Sequence, residues 1–454
     1  MARIYDLRSF IEVLKEKGSF ERITRPVSLD HELANVGAAL ARQGGKAVLF
    51  ETVTGSQDLI PWPVFTNAVV SPMTAAIALE CTPDEVVHKM GNALEPANAI
   101  PPRRVTEEAP WKQNVITGDQ INLYRLPIPT HGALDGGPFI TGGVTVTKDP
   151  VSGRGNLSYN RMQILGPHTF GFNVNEWRHT MQFYKVQQEK NEPLQVAIAI
   201  GLDPAIMIAA GARYDNDELM IAGAIRGEAV AVSKGVTVDV DIPFNAEVVI
   251  EGYLPPHVRH AEGPLAEFHG YYGELWQSPT FEVTAICYRD NPIYQTIVPG
   301  WAEHIYIGNV LPREPLLLRF CRHVSKDVKA LHIPPYANGF AAIVQLEKSN
   351  PGEPKNVAMA AFTAHVNVAK VIVVDPDVNI YDPADVLWAM TNRVDPTRDV
   401  FFVQGAQGHE MDPTADMRGV QTKVGIDATY KPERRDYGER IRYPDVDLSK
   451  YLSG

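Results

Sequence analysis

The middle of the chain, from about residue 115 to residue 300, consists of short apolar runs separated by glycine and proline. Alternation of apolar and polar residues in runs of this length is typical of strands, and a turn between successive runs favours antiparallel neighbours. One helix interrupts the series, at WRHTMQFYKVQQEK. The pattern predicts an antiparallel barrel or sandwich. The main runs are TGGVTVTKD, NLSYNRMQIL, PLQVAIAIG, AEVVIEGYL, TFEVTAICYRD and PIYQTIVPG.

Helical periodicity returns on both sides of this β-rich segment. Before residue 110, DLRSFIEVLKEKG, DHELANVGAALARQG and TPDEVVHKMGNAL predict helices, and KAVLFETV predicts a strand. After residue 310, strands are predicted at FAAIVQLEK and KVIVVDPDV, and helices at EPLLLRFCRHVSKDV and DPADVLWAMTNRV. The last helix has Asp382 as its N-cap and Pro383 at its first position. A chain of 454 residues is too long for one ordinary core, so we expect several domains of mixed α and β structure.

The composition argues against several classes of protein. A formal net charge of -12 disfavours non-specific nucleic-acid binding, which needs a basic surface. The cysteines, Cys81, Cys287 and Cys321, form no CxxC pair, which suits a reducing compartment and provides no zinc framework. No run of about 20 apolar residues could span a bilayer, and the first residues lack the apolar core of a signal peptide. We expect a cytoplasmic protein that binds neither nucleic acid nor membranes.

A row of polar side chains lies on the predicted strand NLSYNR, residues 156–161. Asn156, Ser158 and Asn160 alternate with apolar neighbours and therefore share one face of the strand, and Arg161 ends the row. If that face is buried, these groups need partners, because unsatisfied polar groups are costly inside a protein. An exposed strand face is the alternative interpretation.

His179 and Arg178 lie at the start of the predicted central helix. Free N–H groups and the helix dipole favour an anion, or a metal-bound phosphate, at such a position. A structural histidine is the alternative. Further along, Asp217 and Glu218 precede an apolar run, where helix capping or a solvated loop is the usual role of acidic residues.

The stretch HAEGPLAEFHGYYGE, residues 260–274 and here called the acidic segment, is too rich in glycine to form a regular helix. Glu262 and Glu267 are separated by Gly263 and Pro264, which allow the chain to fold back. Two carboxylates near one arginine would titrate as a coupled set, with one pushed towards its neutral form. A mobile acidic loop is the alternative, and spacing alone does not decide between the two.

Taken together, these segments resemble the UbiD family of reversible, non-oxidative decarboxylases that use prenylated FMN. The resemblance runs over nearly the whole chain, and the order and spacing of its motifs carry it. The motifs are LPIPTHGALDGGPFITGGVTVTKDP, NLSYNRMQ, DELMIAGAIRG, AEVVIEGYL, EGPLAEFHGYYGE and AKVIVVDPDVNIYDPADVLWAMTNRVDP.

The resemblance implies an α+β fold around a central split β-barrel of flavin-reductase type. It implies an N-terminal α/β domain at residues 1–112 and a prenylated-FMN-binding barrel at residues 113–308. A linker helix at residues 309–330 and a C-terminal α/β domain at residues 331–454 would follow. That last domain would assemble the chain as a homodimer or homohexamer, and a prenyl-FMN synthase would supply the cofactor.

The resemblance also implies a set of cofactor-binding residues. Asn156, His179 and Glu218 match the ligands of a divalent ion, Mn²⁺ or Mg²⁺, that holds the cofactor phosphate, and amide, imidazole and carboxylate donors suit such a cation. A nearby K⁺ would take backbone carbonyls around Leu157 and residues 209–212. Lys370 resembles a lysine that reaches the phosphate. The remaining cofactor contacts would come from Ser158, Tyr159, Asn160, Arg161 and Arg178.

Arg161, Glu262 and Glu267 match the catalytic Glu-Arg-Glu network of the family. Loss of CO₂ from an sp² carbon leaves electrons that ordinary side chains cannot accept, so the reaction would pass through a covalent adduct with prenylated FMN. Arg161 would orient the substrate carboxylate and hold Glu262, and Glu267 would protonate the carbon.

The substrate is expected to be an aromatic or heteroaromatic acid, similar to a hydroxybenzoate or a furan- or pyrrole-carboxylate. His304 and Arg313, in GWAEHIYIGNVLPRE, match a substrate-facing loop, and Arg178 could pair with a second anionic group. A structural role for His304 is the alternative. Acrylic acids of the cinnamate type, a non-catalytic flavin-binding subunit and a metal-dependent hydrolase are the competing functions.

Overall fold

The chain divides into two compact units, each described here by itself. One unit comprises Met1–Leu316 and Pro335–Gly339, and the other comprises Leu317–Pro334 and Phe340–Gly454. The ends of the predicted outer domains, residues 1–2 and 452–454, lie outside the described residues. The structure, a computed structural model, describes residues 3–441, 443, 446, 447, 450 and 451.

Among the described residues, twenty-eight α-helices and strands lie in the first unit or begin there, and they are numbered in chain order together with those of the second. Its helices are α1 (Leu7–Glu16), α2 (Glu32–Gly44), α3 (Pro72–Leu79), α4 (Val86–Leu94), α5 (His179–Glu189), α6 (Pro204–Gly211), α7 (Leu219–Arg226), α8 (Ala302–Ile305) and the start of α9 (Leu311–Val324). Its strands are β1 (Phe20–Ile23), β2 (Val27–Ser28), β3 (Ala47–Phe50), β4 (Val53–Thr54), β5 (Val64–Thr66), β6 (Arg103–Arg104), β7 (Asn114–Thr117), β8 (Phe139–Ile140), β9 (Val144–Lys148), β10 (Gly155–Tyr159), β11 (Met162–Ile164), β12 (Thr169–Phe172), β13 (Leu194–Ile200), β14 (Ala231–Lys234), β15 (Asp241–Pro243), β16 (Val248–Leu254), β17 (Arg259–Glu262), β18 (Trp276–Tyr288) and β19 (Tyr294–Gln295).

The second unit contains the end of α9 and a smaller set of elements. Its helices are α10 (Glu353–Ala364), α11 (Pro383–Arg393) and α12 (Pro396–Asp399), and its strands are β20 (Val328–His332), β21 (Ala341–Leu346), β22 (Lys370–Val374), β23 (Val400–Gln407) and β24 (Val420–Asp427).

Capping residues determine where the helices near the N-terminus begin. Asp6 accepts a hydrogen bond from Ser9 N at the start of α1, and Ser71 does the same for Thr74 N at the start of α3. In the predicted helix TPDEVVHKMGNAL, Pro83–Glu85 form a single 3₁₀ turn, and the α-helix α4 begins only at Val86. The first unit also contains a four-stranded sheet with the strand order β1-β3-β5-β19.

A ten-stranded sheet forms the centre of the first unit. Its main path runs β10-β9-β13-β16-β18-β12-β11-β8, with β7 and β17 also paired to β18, and its neighbouring strands pair antiparallel. Buried aromatic residues fill its core, where the rings of Phe170 and Phe281 stack at 4.3 Å between centroids. The runs predicted as antiparallel strands are confirmed except PIYQTIVPG, whose strand β19 pairs in parallel with β5 in the four-stranded sheet. Helix α5 is confirmed, but α6 and α7 also lie among these strands, so the expectation of a single interrupting helix was wrong.

The second unit has a five-stranded sheet in the order β20-β21-β22-β24-β23. Its three inner strands run parallel, as expected for strands joined through helices. Asp382 accepts from Ala384 N at 2.9 Å and Pro383 opens α11, as predicted. The predicted helix at EPLLLRFCRHVSKDV begins three residues earlier than expected, at Leu311, and holds Pro315 within it. Together the two units define a mixed α+β protein.

Within residues 3–441, every helix is too short or too polar to cross a lipid bilayer.

Candidate active site

Arg161 binds both glutamates of the acidic segment. Its Nε and Nη2 lie 3.0 Å from Oε1 and Oε2 of Glu262, and its Nη1 donates a hydrogen bond to Glu267 Oε1. A guanidinium suits this arrangement because its planar set of N–H donors can form hydrogen bonds with two carboxylates at once. Arg161 is 101 residues from Glu262 in sequence, so only the tertiary fold brings them together.

Backbone hydrogen bonds hold the acidic segment in place. Glu262 ends β17, and Gly263 follows with φ of +111°, a conformation that only glycine adopts easily. Beyond Pro264 the chain forms a tight turn, in which Glu267 N donates to Tyr271 O at 2.9 Å. The described geometry is therefore that of a hydrogen-bonded turn with two acids directed at one arginine.

The two glutamates have different surroundings. The side chain of Glu262 is fully buried, whereas that of Glu267 retains 14% exposure. Burial raises the pKa of Glu262, and the positive charge of Arg161 and a hydrogen bond from Asn173 Nδ2 at 3.1 Å oppose that rise. Ser278 Oγ also approaches Glu262 Oε2, at 3.5 Å. Glu267 is therefore the acid that can reach a bound molecule.

The predicted metal ligands come from three elements of the first unit. Asn156 lies on β10, His179 is the first residue of α5, and Glu218 immediately precedes α7. Asn156 Oδ1 and His179 Nδ1 face each other at 3.0 Å, and Glu218 Oε2 accepts from Leu157 N at 2.7 Å. The capping expected of this acidic cluster is made by Asp217, whose Oδ1 accepts from Leu219 N.

These residues fit a divalent cation. Glu218 is buried, and burial raises the pKa of its carboxyl to about 8. A bound cation would relieve that desolvation cost. Within the described part of the chain, no group of three His, Cys, Asp or Glu side chains could hold a metal ion. The amide oxygen of Asn156 would therefore serve as the third protein ligand beside His179 and Glu218.

The polar row on β10 is mostly buried, contrary to the exposed alternative. Asn156 and Asn160 are buried, and Ser158 Oγ donates to Asn160 Oδ1 at 3.0 Å. Tyr159 lies between them, and its buried hydroxyl has no hydrogen-bond partner among the described residues. Residues 209–212, where K⁺ contacts are expected, lie at the end of α6.

Arg178 interacts electrostatically with two other arginines, Arg213 and Arg313. Arg178 is exposed to solvent. Desolvation by the surrounding protein and the positive charge of Arg213 nevertheless lower its pKa. Burial and the charge of Arg178 lower the pKa of Arg313. Arg313 Nη1 is buried without a hydrogen-bond partner in the described structure. This concentration of positive charge suits an anionic ligand.

His304 lies beside the acidic segment. Its ring meets that of Phe268 edge-on at 6.1 Å between centroids, and its Nδ1 accepts from Gly300 N at 3.2 Å. Burial lowers the pKa of His304 to about 4, so the ring is neutral at neutral pH. With Nδ1 accepting, the proton is on Nε2, which is a hydrogen-bond donor.

Lys370 is the one predicted site residue in the second unit. It begins β22, where its Nζ lies 4.0 Å from Asp412 Oδ2 and 3.5 Å from Thr414 Oγ1.

Several residues of the site were not predicted. Asn173 and Ser278 bind Glu262, and Gln163 and Asp135 bind the backbone of the acidic segment. The motif GALDGG, which contains Asp135, was part of the family resemblance but suggested no role for any of its residues.

Family models match almost the whole chain in three consecutive parts. Residues 11–94 match the N-terminal domain of 3-octaprenyl-4-hydroxybenzoate carboxy-lyase, residues 103–302 its Rift-related domain, and residues 306–428 its C-terminal domain. The fold and these matches define the class of the protein, a carboxy-lyase. More specifically, the chain belongs to the UbiD family.

Relatives of known structure or activity are similar over nearly their whole length. HmfF from Pelotomaculum thermopropionicum in complex with FMN is 37% identical with a TM-score of 0.92, covering 99% of this chain and 100% of that one. An evolved dimeric form of HmfF in complex with prFMN is 34% identical with a TM-score of 0.88 and the same coverage.

Two further relatives are named for their substrates. Apo 3,4-dihydroxybenzoic acid decarboxylase from Enterobacter cloacae is 28% identical with a TM-score of 0.91, covering 99% of both chains. Anhydromevalonate phosphate decarboxylase from Methanosarcina mazei is 33% identical over 442 residues, covering 96% of this chain and 99% of that protein.

Proposed function

We propose that the protein reversibly decarboxylates an aromatic or heteroaromatic acid similar to a hydroxybenzoate or a furan- or pyrrole-carboxylate. The observation that carries this proposal is the pairing of Arg161 with a buried Glu262 and a partly exposed Glu267. Family membership supports the reaction class. One relative is named for a ring acid, 3,4-dihydroxybenzoic acid, which supports this choice of substrate.

Each member of the network has a distinct role in this proposal. Arg161 orients the substrate carboxylate through charge-assisted hydrogen bonds. Glu262, buried and held by Arg161 and Asn173, fixes the guanidinium. Glu267 gives its proton to the ring carbon after CO₂ leaves and takes one from that carbon in the reverse direction. Prenylated FMN, when bound, supplies the electron sink that side chains lack.

The cofactor would be held mainly by the first unit. Asn156, His179 and Glu218 would bind a Mn²⁺ or Mg²⁺ ion on the phosphate, with K⁺ beside it. Ser158, Tyr159, Asn160 and Arg178 would line the same region. Buried donors and acceptors along β10 support this part of the proposal.

We propose that substrate specificity is determined by Arg178, His304 and Arg313. A neutral His304 offers an N–H donor next to Phe268, and Arg313 offers a buried guanidinium with one unpaired nitrogen. Such a set favours an acid with a second anionic or hydroxyl group on the ring.

A phosphorylated acid is the second candidate substrate. Arg178, which interacts electrostatically with both Arg213 and Arg313, would provide positive charge for a phosphate together with them, and one relative is named for a phosphorylated substrate. Cinnamate-type acids and a non-catalytic flavin-binding role remain alternatives to be tested alongside it.

The assembly, cellular location and domain roles belong to the same proposal. We propose a cytoplasmic homodimer or homohexamer formed through residues 331–454, with the cofactor supplied by a prenyl-FMN synthase.

The proposal is tested with enzyme produced together with a prenyl-FMN synthase. The substrates to compare are 3,4-dihydroxybenzoate, furan-2-carboxylate, pyrrole-2-carboxylate, cinnamate and anhydromevalonate phosphate, followed as CO₂ release. Turnover of a ring acid supports the first candidate, and turnover of the phosphorylated acid alone supports the second. Flavin-loaded enzyme that is inactive with all five would reject both.

The role of Glu267 is tested by Glu267→Gln, which keeps the hydrogen bond to Arg161 but cannot give up a proton to carbon. We expect CO₂ release and exchange of the ring proton to fall by at least about a hundredfold while flavin stays bound. Glu274→Gln is the matched control, because Glu274 is an exposed glutamate of the same segment. Normal turnover by Glu267→Gln would show that another group donates the proton.

A further inference from the structure

A second loop, residues 131–137 and here called the brace loop, is hydrogen-bonded to the acidic segment. Gly136 N donates to Pro264 O at 2.9 Å. Asp135 Oδ1 accepts from Ala266 N at 3.1 Å. Both contacts fall on the stretch of backbone between the two catalytic glutamates, so the loop fixes the part of the chain that sets their separation.

Asp135 is itself held firmly within the brace loop. Its Oδ2 accepts from the backbone N–H groups of His131, at 3.2 Å, and Gly132, at 2.6 Å. One carboxylate oxygen thus accepts hydrogen bonds within the brace loop, while the other accepts one from Ala266 N in the acidic segment. Because both oxygens are engaged, the side chain cannot move without breaking several hydrogen bonds.

Gln163 links the two pieces of backbone directly. Its Nε2 donates to Gly136 O at 2.7 Å, and its Oε1 accepts from Gly263 N at 2.8 Å. Gln163 is only 7% exposed. The backbones approach so closely that a Cβ atom on Gly136 would lie 2.2 Å from Gly263 O, which explains the glycine at that position.

Arg161 and Gln163 share one side of the chain. They lie two residues apart where the chain enters β11, and side chains with that spacing point the same way in extended structure. Arg161 binds the carboxylates of the acidic segment, and Gln163 binds the backbone between them. A single short stretch therefore positions both the charges and the chain that carries them.

We propose that Gln163 and Asp135 are positioning residues, which fix the separation of the Glu262 and Glu267 carboxylates on Arg161. The catalytic consequence rests on the proposed function, but the structural role does not. Without Gln163 the Gly263 N–H and the Gly136 carbonyl lose their buried partners, so the acidic segment opens more often. A proton donor displaced in this way slows the chemical step more than it weakens substrate binding.

The structural role is tested by amide hydrogen exchange of the full chain, followed by mass spectrometry over residues 262–274. Gln163→Met preserves length and removes both polar atoms, and we expect exchange in this segment to speed up about tenfold or more. Asp135→Asn, which keeps one acceptor, is expected to have a smaller effect, and it serves if Gln163→Met fails to fold. Unchanged exchange in both variants would overturn the proposal.

The catalytic consequence is tested with flavin-loaded enzyme and the acid that gives the highest turnover in the screen. For Gln163→Met we expect kcat to fall about tenfold or more and KM to change less than about threefold. Gln163→Glu should recover activity as the pH is lowered, because only a neutral carboxyl can donate to the Gly136 carbonyl. A fall in exchange protection without a fall in kcat would overturn the positioning role.

Gln345→Leu is the matched control. Gln345 Nε2 also donates to two backbone carbonyls, Pro376 O at 3.2 Å and Val378 O at 3.0 Å, but within the second unit. It should change neither exchange in residues 262–274 nor kcat. Wild-type enzyme without activity on any acid would reject the proposed function. The exchange measurement would still decide whether Gln163 and Asp135 hold the acidic segment in place.

Discussion

The chemistry of the site depends on how individual charged side chains are paired. Arg161 has two carboxylate partners, whereas Arg313 Nη1 has no hydrogen-bond partner among the described residues. An unsatisfied buried donor on a charged group is costly. The difference indicates that Arg161 is built into the protein's own network, and that Arg313 is suited to a ligand.

Substitution of Arg313 should therefore change substrate preference. We expect Arg313→Met to raise KM by about tenfold or more for benzene-1,3-dicarboxylate or for a hydroxybenzoate, because a hydrogen bond to a charged group is worth about 1.5–3 kcal/mol. KM for benzoate should change much less. Steady-state kinetics with these acids measure the difference.

Arg313→Lys is the control, because it keeps the charge but loses the planar fork. It should restore part of the affinity. Equal losses for all three acids in Arg313→Met would contradict a role in recognising the second group.

At the scale of elements, a buried carboxylate joins α8 to the residues that follow β5 in the first unit. Glu303 accepts backbone hydrogen bonds from Asn67 N and Ala68 N, each at 2.8 Å, although 236 and 235 residues separate them in the chain. Glu303 is next to His304, so this contact fixes the start of the helix that carries the predicted substrate contact. Burial raises the pKa of Glu303 from 4.5 to about 8.

This raised pKa predicts a pH-dependent contribution to stability. Between about pH 4.5 and 8 the folded state holds a proton on Glu303 that the unfolded state releases. The stabilisation is therefore complete below the unfolded pKa and is lost as the pH rises through the folded one, at up to about 1.4 kcal/mol for each unit of pKa.

Glu303→Gln cannot titrate, so its free energy of unfolding should fall less than that of wild type between pH 5 and pH 8. Urea denaturation at several pH values measures this. Glu12→Gln, at a glutamate with 65% side-chain exposure, should follow wild type. Parallel curves for Glu303→Gln and wild type would mean that Glu303 has an ordinary pKa in the folded protein.

At the scale of the whole molecule, the chain brings polar groups from distant segments to one region of its first unit. Asn156 on a strand, His179 at a helix start and Glu218 before another helix would each be unremarkable alone. In the fold Asn156 Oδ1 faces His179 Nδ1 at 3.0 Å, and Glu218 accepts from the backbone N–H of Leu157, next to Asn156, so we propose these three residues as one metal-binding set.

Removal of divalent metal should therefore loosen the cofactor and lower the stability of the whole protein. A ligand that binds only the folded state raises the free energy of unfolding, so its loss should lower Tm by several degrees. We expect chelation, or His179→Ala, to reduce flavin content by half or more. Flavin absorbance after gel filtration and thermal melting measure the two effects.

His323→Ala is the control, since His323 is an exposed histidine in α9. It should retain its flavin and its Tm. A His179→Ala variant with full flavin content and full activity would contradict the proposed metal site.

The sequence by itself determined the local features of this protein. Period-two alternation located the strands of the central sheet, and Asp382 with Pro383 marked the start of α11, because these signals act between residues close in the chain. Residue types and motif order also indicated the family, and that resemblance predicted the network of Arg161, Glu262 and Glu267.

Only the tertiary structure decided which of these groups meet. Periodicity states which face of a strand a side chain occupies, but the neighbour across that face depends on pairing and register over long distances. Glu267 reaches Arg161 across 106 residues, and Gln163 reaches Gly263 across 100. Neither contact has a local signal, because closing such loops is driven by the burial of the whole sheet core rather than by the residues that end up in contact.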